Sequence, residues 1–193
     1  IKIKAVGSDY QGLFGRVYGS SAYAEIANVT IANSAIGGAT YVGGIAGYAY
    51  YTNIANCINY CDIIGTSYVG GIVGQKNNGS TNNCTNEGDI TGSSDYIGGI
   101  HGSGGSISNC QNLGNITGAG YVGGISGSGG VTDSYNLGDI TSTDNYCGGI
   151  SGYSSSDISG CHNEGTIFGD GYTGGICGYL SRSEIFTCYN IGT

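Results

Sequence analysis

Seven times along this chain a tyrosine-led, glycine-rich block returns at a near-constant interval, and that periodicity restricts the fold more than any other feature. The block reads Tyr, any residue, Gly-Gly-Ile, any residue, Gly. It starts at Tyr41, Tyr68, Tyr96, Tyr121, Tyr146 and Tyr172, with successive starts 27, 28, 25, 25 and 26 residues apart. Tyr10-Gln-Gly-Leu-Phe-Gly15 is a shortened version. A second block follows each first one, most clearly as Ile107-Ser-Asn-Cys-Gln-Asn-Leu-Gly-Asn-Ile-Thr-Gly118. Superposing its copies gives columns: Cys57, Cys84, Cys110, Ser134, Cys161, Cys188; then Asn59, Asn86, Asn112, Asn136, Asn163, Asn190; then Ile63, Ile90, Ile116, Ile140, Ile167.

A unit of this length cannot bury its own apolar side, but stacked units can. Each side chain then sits on its equivalent one strand spacing away, ~4.8 Å. Ile45, Ile72, Ile100, Ile125, Ile150 and Ile176 make one inward ladder and the Ile63 column another. The Asn column fits an inward amide ladder at a corner, and the Gly pairs fit tight corners or close backbone approaches. The expected fold is an all-β, right-handed parallel β-solenoid of about seven coils of about 26 residues, forming one domain over 1–193 with 1–9 as an N-terminal strand or cap. Leucine-rich repeats need more than the four Leu present, helical repeats need apolar residues at 3.6 spacing, and a propeller blade needs about 40 residues.

Composition narrows function by exclusion. The five basic residues, Lys2, Lys4, Arg16, Lys76 and Arg182, are scattered among 13 acidic ones, for a net charge of −8. That is not the footprint of a nucleic-acid binder. No run approaches the length of apolar chain that spans a bilayer. The chain begins at Ile1 and stops at Thr193 partway through a repeat, so it reads as processed or as part of a longer protein.

The first block resembles the GLUG motif, named for a Gly-Leu-aromatic-Gly core. Gly12-Leu-Phe-Gly15 is nearest to the name, while Gly43-Gly-Ile-Ala-Gly47 and its sisters resemble the usual repeat form, as does the Ser/Cys-x-Asn-x-Gly segment downstream. Cys61 departs from the pattern, standing where Gly88, Gly114, Gly138 and Gly165 stand in other copies. Proteins with this motif are typically large bacterial surface or secreted proteins, including adhesin-like chains and some immunoglobulin A peptidases whose repeats lie outside the catalytic domain. The resemblance therefore implies a secreted or cell-surface location and an accessory or binding role, and it transfers no catalytic residue.

Several residue sets are weighed as sites. The eight Cys suit a disulfide framework, yet five share a column with Ser134, which favours small buried free thiols. A Cys147–Cys177 bridge between adjacent coils is the remaining pairing to consider. No Cys-x-x-Cys pair marks a zinc site. His101 takes a motif position held elsewhere by Ala, Val, Ser or Cys and reads as a tolerant surface site; His162 lies in no metallopeptidase motif. Asp62, Asp89, Asn115 and Asp139 form a column whose stacked oxygens could take calcium, but ordinary solvated turns suffice to explain them, and no cofactor is expected. The Tyr41 column, by strict alternation with Ile45, points inward or caps the core as a structural ladder. The Thr91, Thr117, Thr141 column is interrupted by Phe168 and makes no flat ice-binding face.

Length variation falls between the first block and the Cys column, on one lateral edge. That edge carries Tyr48, Tyr50, Tyr51, Gln75, Lys76, Asn77, Asn78, Tyr153, Tyr179 and Arg182, and insertions in a repeat fold commonly gather on the binding face. The expected function is a non-catalytic, adhesin-like binding or display module for a host or environmental glycan or protein. The alternative is a structural subunit whose unpaired end strands stack head-to-tail into a filament. A polysaccharide-cleaving β-helix would require the carboxylates to converge in a cleft.

Overall fold

The computed structural model describes residues 3–4, 7–20 and 22–193. It is an all-β parallel solenoid with no helix among the described residues. The coil led by Tyr68 shows the plan. Its strands are Asp62–Gly65, Ser67–Gly70, Val73–Asn77, Ser80–Asn82 and Thr85–Asn86, and each pairs in parallel with its equivalents one coil before and one coil after. Four of the five resulting sheets have seven strands and one has six. About six coils repeat in full against about seven expected, because the shortened first copy joins the six-stranded sheet only through the bridge from Gln11 to Val42. Of the N-terminal strand or cap expected over residues 1–9, Ile3–Lys4 pairs with Ile36 and Gly37; Ile1, Lys2, Ala5 and Val6 lie outside the described residues.

The core is a bundle of ladders running along the stack. Ile63, Ile90, Ile116 and Ile140 align by register, as do Val42, Val69, Ile97 and Val122. The Ile45 series stands at the corner between two sheets and is fully buried from Ile45 to Ile150. Each such side chain contributes about 2 kcal/mol of burial. Stacking supplies that burial, since one coil alone leaves every inner side chain bare on both sides.

The same stacking joins the two sequence blocks. Asn112 Nδ2 donates to Asn136 Oδ1 (2.7 Å) and to Gly114 O (2.7 Å), while its own Oδ1 accepts from Asn86 Nδ2 (2.8 Å). The pattern repeats from Asn59 to Asn190, so buried amides are paired along the whole column. The second glycine of each Gly-Gly pair makes room for it: a Cβ on Gly99 would overlap the Asn112 amide and the Gly124 carbonyl. The block's last glycine has another cause. A Cβ on Gly102 would stand 2.7 Å from Tyr96 O, where the tyrosine backbone crosses the following strand. Between the Ile107 and Gln111 strands the corner is a single left-handed residue, Asn109 (φ 51°). Asn28, Asn56, Asn83 and Asp133 do the same in their coils, as short polar side chains tolerate that region best.

Candidate binding site

The leading tyrosines stand outside the core. Tyr41, Tyr68, Tyr96 and Tyr121 have φ of 62°, 53°, 64° and 51°, and the residue after each points inward and is fully buried: Val42, Val69, Ile97 and Val122. This corrects the inward orientation expected from alternation with Ile45. The Gly-Gly corner breaks the phase, so the near neighbour at Val42, and not Ile45, fixes the side on which Tyr41 lies. The ladder itself is real. Tyr10, Tyr41, Tyr68, Tyr96 and Tyr121 stack in sequence with ring centroids 4.9, 5.0, 4.7 and 4.8 Å apart, and Tyr146 and Tyr172 extend it at 5.0 and 5.4 Å. Such offset stacking hides ring faces between neighbours and leaves ring edges at the surface.

A second column runs beside it, register-aligned as Arg16, Tyr48, Gln75, Ser103, Ser128, Tyr153, Tyr179. Its tyrosines stand across the ladder. Tyr48 lies at 88° to Tyr10 and 81° to Tyr41, Tyr153 at 79° to Tyr121, and Tyr179 at 79° to Tyr172. Tyr179 also lies 5.3 Å from Tyr146 at 58°. Arg16 Cζ stands over two of these rings, 5.2 Å from the Tyr48 centroid and 4.7 Å from that of Tyr10. Asn77 Nδ2 donates to Tyr48 Oη (2.9 Å). Tyr153 and Tyr179 are parallel to within 6°, with centroids 5.8 Å apart.

The lateral edge read from the sequence is thus divided. Tyr153 and Tyr179 come together, with exposed Arg182 on the turn that follows Cys177–Leu180. Tyr48, Asn77 and half-buried Gln75 lie on coils nearer the N-terminus. Tyr50 and Tyr51 belong to another cluster, with Tyr50 stacked on Tyr18 at 4.7 Å and Tyr51 against Tyr23 at 5.6 Å. Lys76 is not on the surface. Its side chain is fully buried, and Nζ donates to Thr52 O (2.5 Å) and to Asn78 O (3.1 Å) of exposed Asn78. Burial pushes its pKa down to about 8.

His101 is likewise corrected from a surface site to a core residue. It fills the inner column of Val73, Ser126 and Ser151 and is fully buried. Its Nδ1 lies 2.7 Å from Gly104 O and its Nε2 lies 3.0 Å from Thr81 Oγ1. A carbonyl only accepts, so Nδ1 carries the proton and Nε2 accepts from the threonine hydroxyl. Burial, and then the neighbouring Lys76 charge, push the imidazole pKa down to about 3.

Sequence reading passed over one further surface feature. Tyr135, His162 and Tyr189 stack with centroids 5.0 and 4.8 Å apart, and His162 Nε2 lies 3.6 Å from Glu164 Oε1. Beside this stack, Asn83, Asn109, Asp133, Thr85, Gln111 and Tyr135 line a shallow hollow of about 360 Å³. Its signal was available in the residue preceding each ladder asparagine, which faces outward.

The remaining candidate groups have structural partners. Asp62 Oδ1 accepts from Asp89 N (3.1 Å), Asp89 Oδ1 from Asn115 N (2.8 Å), Asn115 Oδ1 from Asp139 N (3.0 Å) and Asp139 Oδ1 from Thr166 N (2.8 Å). The column therefore ties successive coils together. Among the described residues no group of three or more His, Cys, Asp or Glu is placed to hold a metal ion, and no helix is long and apolar enough to cross a membrane.

All eight cysteines are unbridged. Cys147 aligns with Val122 in one sheet and Cys177 with Ser151 in another, so these two stand in different columns. Within the main column, Cys57, Cys84, Cys110, Cys161 and Cys188 donate to Ala55 O, Asn82 O, Ser108 O, Ser159 O and Phe186 O at 3.2–3.3 Å. Ser134 does the same toward Thr132 O (2.8 Å), which explains why serine can replace cysteine there. Burial pushes the Cys147 and Cys161 thiols up to about 12. Thiol titration of the native chain at neutral pH is expected to label rapidly no more than the two incompletely buried thiols, Cys177 and Cys188, and all eight after denaturation. Fewer than eight in the denatured, unreduced chain would show bridges.

This architecture defines the class: a parallel β-solenoid repeat protein. Within it, the chain carries the GLUG motif, a repeat found in β-helical proteins; the family model "The GLUG motif" matches residues 38–59. The matched stretch holds the Tyr41 block, Cys57 and Asn59. Neither comparison with curated proteins nor comparison with solved structures gave a match.

Proposed function

We propose that the chain is a non-catalytic secreted or cell-surface scaffold that binds a host or environmental glycan or protein through tyrosines on its side. The observation that carries this reading is the column of Tyr48, Tyr153 and Tyr179, half-buried or exposed rings that stand edge-to-face against the tyrosine ladder. A tyrosine held rigidly edge-to-face loses little freedom on binding and offers apolar area with a polar tip. The ladder and the amide column supply that rigidity. A non-catalytic role agrees with the carboxylates of the Asp62 column, which are spaced one per coil and bonded to backbone.

The test is binding of the immobilised chain to panels of glycans and extracellular-matrix proteins, alongside the variant Tyr48→Ser/Tyr153→Ser/Tyr179→Ser. The expected result is retention of at least one class by the parent chain and its loss in the triple variant, with unchanged circular dichroism. Equal binding by both chains, or none by the parent, would overturn the reading.

A further inference from the structure

We infer that Asn78-Gly79 is a self-modifying site, at which Lys76 promotes loss of ammonia from Asn78 and rearrangement of the backbone to isoaspartate. It is the one Asn-Gly dipeptide in the chain. The pair makes the turn between the Val73–Asn77 and Ser80–Asn82 strands, with φ of 62° at Asn78 and 87° at Gly79. Glycine is required there, because a Cβ on Gly79 would stand 2.2 Å from Thr52 O. The missing side chain also leaves the Gly79 nitrogen unhindered as a nucleophile. Asn78 is exposed, and among the described residues neither its side-chain amide nor the Gly79 N–H is held in a hydrogen bond.

The peptide bond joining the two residues has an uncommon partner. Its oxygen, Asn78 O, accepts from Lys76 Nζ (3.1 Å), whose side chain is fully buried and whose other acceptor is Thr52 O. Among the described residues no carboxylate pairs with this ammonium. When a base removes the Gly79 proton, negative charge develops on nitrogen and on Asn78 O, where Lys76 already donates. A preorganised charged donor at that oxygen stabilises the anion, most of all where water is excluded. The Gly79 nitrogen then attacks Asn78 Cγ, and Nδ2 leaves with a proton as ammonia, closing a succinimide ring. Water adds to Asn78 C, the carbonyl that Lys76 polarises, and breaks its bond to Gly79 N. The backbone now runs through Cγ, and Asn78 C and O belong to a free carboxylate. The net reaction is hydrolysis of one amide to a carboxylic acid and ammonia, with water as the only co-reactant. The new carboxylate forms on the oxygen that the buried ammonium holds, so the product gives Lys76 a counter-charge.

The experiment follows the full chain in neutral buffer by intact mass, with peptide mapping to separate aspartate from isoaspartate. A gain of one dalton is expected at Asn78 before any other asparagine, mainly as isoaspartate, and faster in the folded chain than in the same chain held in urea. Asp170-Gly171 can isomerise only without change of mass, so it does not interfere. Lys76→Met, which keeps an unbranched stem, is expected to slow the reaction about a hundredfold with unchanged circular dichroism. The parent's pH profile gives a second reading that does not depend on the variant's folding. Burial pushes the Lys76 pKa down to about 8. The titratable group beside its stem is His101, both being packed at Gly105, and His101 stays neutral down to about pH 3. The base-driven rise in rate should therefore flatten above about pH 8, as the ammonium loses its proton. Slower reaction in the folded chain than in urea, aspartate as the main product, an unchanged rate in Lys76→Met, or an unbroken rise through that pH would each overturn the inference.

Discussion

Asn112→Leu is expected to destabilise the solenoid by about 3–6 kcal/mol, since each buried hydrogen-bonding group left without a partner costs about 1–3 kcal/mol. Three groups lose a partner at once: Asn86 Nδ2, Asn136 Oδ1 and Gly114 O. Leucine has the same branched shape as asparagine but bulkier methyl ends, and Gly99 is already packed on the amide, so overpacking adds to the loss. Asn190→Leu supplies the control. Asn190 is exposed; it accepts from Asn163 Nδ2 and donates to Gly192 O (2.9 Å), and water can replace both contacts. Its expected effect is about 1 kcal/mol or less. Urea denaturation of the two variants reads the difference directly. Similar effects from both would mean that the column is solvated, or that its coils unfold independently of one another.

The second large effect is acid instability centred on His101. Its folded pKa lies near 3, well below the ordinary value of 6.5. In the unfolded chain the imidazole protonates as pH falls through 6.5, whereas in the folded chain it stays neutral until about pH 3. The unfolded state thus binds the extra proton throughout that window, and stability falls as pH falls. The slope is about 1.4 kcal/mol per pH unit, or about 3 kcal/mol from pH 6.5 to 4. Protonation would also force a second cation beside buried Lys76 and turn Nε2 from an acceptor into a donor against Thr81 Oγ1. His101→Ser introduces the residue that the same column holds at Ser126 and Ser151. Carboxylates contribute their own acid sensitivity to both chains, so the informative quantity is the difference between them. Relative to the variant, the parent chain should lose stability progressively below pH 6.5 and hold a constant offset above pH 7.5. Parallel profiles from pH 7.5 to 4 would show that His101 is hydrated or charged in the folded state.

Both predictions concern residues that look alike in sequence terms, since each belongs to a column, yet the sequence located one and misplaced the other. Asn59 through Asn190 recur without exception two residues after the Cys column and its Ser134. An invariant polar residue in an apolar period is legible as a buried ladder, because stacking gives each amide an identical partner. His101 occupies a column of Val, Ser and Ala, and that variability suggested a surface. The column is instead an inner one, where small residues leave space that an imidazole fills beside the buried Lys76 of the preceding coil. Lys76 misled in the same way: a cation between Gln75 and Asn77 reads as solvated, and only its turn carbonyl and Thr52 O show why it can lie inside.

The tyrosine edge was half legible. Tyr153, Tyr179 and Arg182 fall in the segment of variable length, which marked that edge for recognition. How the two rings pack on each other and against the ladder depended on an orientation that no spacing encodes. By itself the sequence determined the repeat length, the parallel stack, the inward Ile and Asn ladders and the interchange of Cys with Ser. All of these follow from each coil meeting a near-copy of itself one strand spacing away. Only the tertiary structure decided which side of the wall Tyr41 and its equivalents occupy, because the Gly-Gly corner resets the alternation within a coil. It also decided that Tyr153 and Tyr179 stand across the ladder, since side-chain torsions there are set by contacts between columns and not by the period within one.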